Sequence, residues 1–268
     1  MARVDVQNVT KIYAPTRAQD RLLALDGVSF SIHDGEFFCI VGHTGCGKTT
    51  LLNLLAGFDS PTTGQVRIEG RTIDRPSWHQ AVVFQDHALF PWYTVYENVS
   101  FGLEMKGVPK AERHLVVRRY LDLVGLGGFE RRYPHELSGG MKQRVGIARS
   151  LAVNPAILLM DEPFGSLDAQ TRSYMQDELL KIWETEQKTV VFVTHSIEEA
   201  TQLADRVLVM TRRPGRVRAI HSVDVSRPRD EGDPVLLRIR KVIKAALQEE
   251  METVLAEERA RLTSADAA

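Results

Sequence analysis

Gly42-His43-Thr44-Gly45-Cys46-Gly47-Lys48-Thr49 follows the apolar run Phe37–Val41 and leads into Thr50-Leu51-Leu52. The pattern G-x-x-x-x-G-K-T suits phosphate binding. Gly42, Gly45 and Gly47 let the backbone curl so that several N–H groups converge on phosphate oxygens. A helix starting near Lys48 adds the positive end of its dipole. Lys48 is spaced to reach the β- and γ-phosphates of a nucleotide, and Thr49 to offer a hydroxyl to Mg2+. Cys46 and Thr50 complete the run expected to line the phosphates. The Cys46 side chain reads as a small residue at a variable position, although a thiol reagent reaching it would block nucleotide entry.

A second group of candidates lies further along. The apolar stretch Ile157–Met160 ends in Asp161-Glu162, so a strand would deliver two carboxylates at its C-terminal end, where α/β sheets bind ligands. Asp161 is expected to hold Mg2+ through water, and Glu162 to orient and polarise an attacking water. His195 closes the strand-like TVVFVT after the acidic pair, where a buried, hydrogen-bonded histidine is one reading and a contact to the γ-phosphate the other. Ser138, Gly139 and Gly140 precede the helical GMKQRVGIARSLAV, so their amides and hydroxyl form another anion-binding helix start.

These residues need a scaffold, and the remaining pattern supplies one. Val4, Val6 and Val9, a polar insert, and LLALDGVSFSI read as antiparallel strands joined by a loop. EFFCIVG reads as a buried strand, TTLLNLLAG as a helix stopped at Gly57, and QVRIEG and AVVFQ as further strands. From about Asp86 to Val153 the pattern turns helical, with LVVRRYLDLVGL and GMKQRVGIARSLAV clearest. AILLMDEP, RSYMQDELLKIWETEQ, TVVFVTHS, IEEATQLA and RVLVM then alternate strand and helix. The expectation is an α/β core with a largely parallel sheet, an antiparallel β subdomain, and a helical subdomain inserted over about 86–153.

Leu137-Ser138-Gly139-Gly140-Met141 resembles the signature motif of the ATP-binding cassette (ABC) family, and the resemblance extends from about Val4 to Met210. Gln85 is similar to the family's Q-loop residue, Ser166-Leu167-Asp168 to its D-loop and His195 to its switch histidine. Tyr13 stands where these proteins often carry an adenine-stacking aromatic. The family implies a P-loop NTPase (RecA-like) core with ATP and Mg2+ as cofactors, and Gln85 as a further metal and catalytic contact. It also implies a head-to-tail homodimer in which each ATP lies between one phosphate loop and the other chain's signature, with Asp168 nearby. Met141 departs from the Gln of many relatives, and a thioether is a poor hydrogen-bond partner.

QDHALFPW, LSGGMKQR and LLMDEPFGSLDAQTR look most like ATPases of the nitrate/sulfonate/taurine importer group. That group implies a peripheral subunit on the cytoplasmic face of the membrane. It would serve separate permease subunits, docked near Phe90, Pro91 and Trp92, and indirectly a solute-binding protein. An exporter or lipid-transport ATPase is the alternative, and a soluble cassette protein of DNA repair or translation a third.

The bulk properties agree with these expectations. The chain has 268 residues, 43% hydrophobic and 26% charged, with a formal net charge of −1. That balance disfavours a generic nucleic-acid binder. Two cysteines are too few for a disulfide framework and fit a reducing compartment. The apolar runs fall short of a membrane span, and the N-terminus has no signal-like core. Residues 1–225 are read as the ATPase domain and 226–268 as a helical extension. Leu236, Ile239, Ile243, Ala246 and Leu247 share a helical face in it, suited to packing on its own domain or docking a partner. Arg212, Arg213, Arg216 and Arg218 are read as a solvated turn, with anionic lipid or nucleic acid as the other possibility.

Overall fold

The computed structural model describes residues 4–14, 21–165 and 167–248. Two sheets carry the fold. The smaller is antiparallel, in the order β2 (Leu22–Ile32), β1 (Val4–Tyr13), β4 (Thr63–Ile68), β5 (Arg71–Thr72). Its first two strands pair with Val4 opposite Ile32 and Tyr13 opposite Leu22. The loop between them falls largely outside the described residues.

The larger sheet runs β10 (Val217–Ser222), β9 (Arg206–Met210), β3 (Phe37–Val41), β8 (Thr189–Thr194), β7 (Ile157–Asp161), β6 (Gln80–Val83). Every pair from β9 to β6 is parallel, and β10 closes the edge antiparallel to β9. Strand alternation sends neighbouring side chains to opposite faces of this sheet. Phe37, Cys39 and Val41 enter one core with the helices, whereas Phe38 and Ile40 enter a second core with α1 (Lys48–Ala56) and the smaller sheet. Strands covered on both faces explain the uninterrupted apolar runs in the sequence.

The helical region begins later than its pattern suggested. Residues 86–94 form loop and turns, and the first helix is α2 (Val95–Met105). Thr94 caps it, accepting from Glu97 N while the Glu97 carboxylate accepts from Thr94 N. That reciprocal capping box sets the start against the helical tendency upstream. α3 (Lys110–Leu123) and α4 (Gly139–Ala152) complete the region, followed by α5 (Ala169–Glu186) and α6 (Ile197–Leu203).

A further correction concerns the Arg- and Pro-rich stretch after Thr211. Residues 212–216 form the turn that their composition predicts, whereas Arg218 stands in β10, paired along its length from Val217 opposite Met210 to Ser222 opposite Arg206. Beyond it a helix, α7, spans 234–248. Leu236 and Ile243 are fully buried in the core shared with α2 to α6, and Ile239, Ala246 and Leu247 pack against it. Residues 249–268 lie outside the described part.

Candidate functional site

Parallel pairing brings the C-terminal ends of β3, β7 and β8 to one edge of the larger sheet. The register sets Val41 beside Thr194 and Asp161 beside Val193. The phosphate loop leaves β3 there, Asp161-Glu162 leave β7, and His195 follows β8. A cavity of about 230 Å³ opens at this edge, lined by Thr44, Gly45, Gly47, Lys48, Thr49, Thr50, Glu162, Tyr13, Leu22, Ala24 and Arg213.

Within the loop, Gly47 has φ +106°, and a Cβ there would come within 2.8 Å of Leu25 Cδ2. Both conformation and space require glycine. Lys48 begins α1 and is buried; its ammonium donates to Gly42 O at 2.9 Å and His43 O at 3.2 Å. Nζ also stands 3.8 Å from Glu162 Oε1. Thr49 Oγ1 donates to Asp161 Oδ1 at 3.4 Å, so two hard oxygen donors meet beside the loop. Burial raises the Asp161 carboxyl above its ordinary value; the Thr49 hydrogen bond opposes this, and the Glu162 charge adds to it. Glu162 takes a left-handed φ of +42° while its N–H donates to Val193 O at 2.9 Å. Its Oε2 lies 3.0 Å from His195 Nδ1. One carboxylate thus stands between the lysine and the histidine.

Cys46 does not face this cavity. Its side chain is buried in the core behind the loop, where burial raises the thiol pKa against the opposing Lys48 charge. This fits the reading of Cys46 as a small residue at its position in the loop, and the native fold hides the sulfur from a thiol reagent.

Other candidates lie apart from the cavity lining. Ser138 caps α4, its hydroxyl accepting from Met141 N at 3.3 Å. Methyl groups built on Gly139 and Gly140 would face Leu167 Cδ2 and Thr171 Cγ2, beside the start of α5. Asp168 caps α5 by accepting from Thr171 N at 3.0 Å, which holds its carboxyl below the usual range. Gln85 is exposed, and a Cβ on Gly165 would lie 3.3 Å from its Nε2.

The ABC transporter family model matches residues 25–165. The chain belongs to the ABC transporter family. An uncharacterized ABC transporter ATP-binding protein of Methanocaldococcus jannaschii is 50% identical over 249 residues, 93% of this chain and 92% of its own. A taurine import ATP-binding protein of Burkholderia pseudomallei is 49% identical over 235 residues, covering 88% of this chain and 90% of its own. A solved dimeric ATP-binding cassette in a post-hydrolysis state with ADP and Pi has a TM-score of 0.73 and 34% identity, over 83% of this chain and 100% of that one. The protein is thus an ATP-hydrolysing cassette with a P-loop NTPase fold.

Two features of this ABC ATPase were not foreseen. Arg213, which the sequence pattern places in a solvated turn, lines the cavity with Tyr13, Leu22 and Ala24. The signal was topological: β9 runs parallel beside β3, so the segment after Met210 emerges at the same edge as the phosphate loop. Gly215 holds that segment close. Its N–H donates to Ala24 O at 2.9 Å, and a Cβ would collide with Cys46 O at 2.2 Å. Arg216 meanwhile pairs with Asp26 at 2.6 Å. The second feature is His43, whose Nε2 lies 3.1 Å from Leu247 O, joining the phosphate loop to α7.

The loop after Gln85 is built to present aromatic surface. Asn98 is fully buried; its amide donates to Phe90 O, Tyr93 O and Thr94 O and its carbonyl accepts from Phe90 N. Phe90 packs on Phe101 with ring centroids 4.7 Å apart, while Trp92 stays 67% exposed. Arg149 of α4 donates to His87 O at 3.1 Å and Ala88 O at 2.6 Å, tying this loop to the signature helix.

Proposed function

We propose that this chain is the ATP-hydrolysing subunit of an importer for a small oxyanionic solute, such as nitrate or a sulfonate like taurine, moved through separate permease subunits. The observation carrying the proposal is the division of the site. Lys48, Thr49, Asp161, Glu162 and His195 converge, whereas Ser138 to Gly140 sit outside the cavity beside α5. An ATP-binding half paired with a displaced anion-binding helix start calls for a second copy, so the working unit is a head-to-tail homodimer with two equivalent sites.

In that unit the loop amides at Gly42, Gly45, Cys46 and Gly47 and the Lys48 ammonium hold the phosphates, with Thr49 and Thr50 at the start of α1. Tyr13 stacks on adenine, and the partner's signature serine and glycine amides meet the γ-phosphate, with Asp168 at the interface. Thr49 and Asp161, joined by Gln85, would hold Mg2+. Among the described residues no group of three or more His, Cys, Asp and Glu is suited to a metal. Thr49 Oγ1 and Asp161 Oδ1 are hard oxygen donors, the type that suits Mg2+ sharing its coordination with phosphate and water. Held there, Mg2+ would supply charge neutralisation to the phosphates.

Glu162 orients the attacking water and His195 contacts the γ-phosphate. The water oxygen bonds to the γ-phosphorus as the bond to the ADP oxygen breaks, leaving ADP and phosphate and weakening the interface that ATP bridged.

Phe90, Pro91 and Trp92 are the permease docking residues. The exposure of Trp92 supports this, as does the neighbouring 630 Å³ groove lined by Thr94, Tyr96, His114, Val117, Arg118 and Arg131. The subunit would sit peripherally on the cytoplasmic face, with a solute-binding protein acting through the permease and no role for nucleic acid. No helix among the described residues is long and apolar enough to cross a membrane. Residues 1–225 are read as the cassette, with the helices of its inserted subdomain running from Val95 to Ala152, and 226–268 as an extension, of which 234–248 form α7. The test is Glu162→Gln, for which we expect retained ATP binding, an ATP-stabilised dimer and turnover reduced by about 10³-fold or more. Turnover close to the parent would remove Glu162 from catalysis.

A further inference from the structure

Glu199 lies in the first turn of α6, only 8% exposed. A buried carboxylate needs partners, and this one faces two segments of the site. Oε2 accepts from the hydroxyl of Thr194, the residue before His195. Thr194 Oγ1 in turn accepts from Ser196 N at 3.0 Å, so the backbone on both sides of the histidine is bound to one hydroxyl. Oε1 accepts from Gln176 Nε2 at 3.1 Å and lies 3.9 Å from Arg172 Nε. That Nε is buried with no hydrogen-bond partner of its own. The other end of the guanidinium donates to Leu167 O at 2.9 Å, in the turn between Glu162 and α5. Glu162, Gly165, Arg172, Thr194, His195 and Glu199 together line one small cavity behind the catalytic carboxylate.

We propose that Glu199 is a positioning residue for hydrolysis: it sets the backbone that carries His195 and, through Arg172, ties it to the turn that follows Glu162. The His195 side chain is 61% exposed and meets Glu162 at 3.0 Å. Its aim therefore depends on how firmly residues 194–196 are held. Glu199 and Arg172 lie outside the nucleotide cavity lining, so the effect belongs to turnover and not to ATP affinity. The inference rests on the reading of Glu162 and His195 as the hydrolytic pair.

The test uses the full chain carrying Glu199→Gln, Arg172→Met or both, with Glu162→Gln in parallel. Each single change is expected to lower kcat about tenfold while KM and the Kd of ATP stay within about twofold, and the double variant is expected to lose no more than either single. Three results would overturn the inference: kcat of Glu199→Gln within about twofold of the parent, losses that multiply to about 100-fold, or a Kd that rises in step with the loss. Arg172 is only half-buried, so if Glu199→Gln does not fold, Arg172→Met alone decides by the same kcat and Kd criteria. Preserved turnover in Glu162→Gln would remove the underlying reading. Abolished turnover there beside an unaffected Glu199→Gln would remove only the role of Glu199.

Discussion

Lys48 shows how a charged side chain can be buried within its own loop. Its ammonium is held by two loop carbonyls, with the Glu162 carboxylate just beyond, so the charge is satisfied and already aimed along the loop. Lys48→Ala should cost about 2 kcal/mol of ATP binding, within the range of a charge-assisted hydrogen bond, or a roughly 30-fold higher Kd. Calorimetric titration checks this, and unchanged affinity would contradict the phosphate-loop assignment. Cys46 gives a second prediction at this scale. Both cysteines are buried with raised thiol pKa values, chiefly from desolvation. A thiol titration should therefore find neither reactive in the native protein and both after unfolding. Rapid native labelling that ATP prevents would return the sulfur to the nucleotide cavity.

At the scale of elements, the strands around the site were the most legible part of the sequence. Phe37–Val41, Ile157–Asp161 and Thr189–Thr194 are apolar runs ended by chemistry-bearing residues, and burial on both faces leaves them no other use. β10 was not legible, because an edge strand paired on one side tolerates Arg218 and His221 and carries little apolar signal. α2 is not singled out by the helical pattern over about 86–153, although Thr94-Val95-Tyr96-Glu97 carries the capping-box spacing that marks its start. The link between α6 and the C-terminal segment was invisible in one dimension. There Arg229, 7% exposed, donates to Thr201 O, Gln202 O and Ala204 O at the end of α6, and to Val223 O and Val225 O. Burial, then the like charge of Arg227, lowers its pKa to about 10, so it remains charged at neutral pH. This guanidinium satisfies carbonyls that a helix end leaves open. Arg229→Met should destabilise the fold by about 3 kcal/mol and lower Tm by roughly 6–12 °C. A melting point within about 2 °C of the parent would show that water replaces those bonds.

For the whole molecule, we propose that one chain holds two half-sites, since the lining of the nucleotide cavity includes none of Ser138, Gly139 and Gly140. The phosphate loop with its acids and histidine forms one, and the capped start of α4 beside α5 forms the other. Closing two copies head to tail would pair each half with its complement, and that pairing is the central claim. Mixing a Lys48→Ala chain with a Ser138→Arg chain tests it most directly. The mixed dimer would hold one site with both lesions and one with neither. Steady-state ATPase, read at ATP near the parent's KM, should thus rise from near zero for each variant alone to about one quarter of the parent on equimolar mixing. If the mixture stays as inactive as its components, ATP is not shared between chains and the account is wrong.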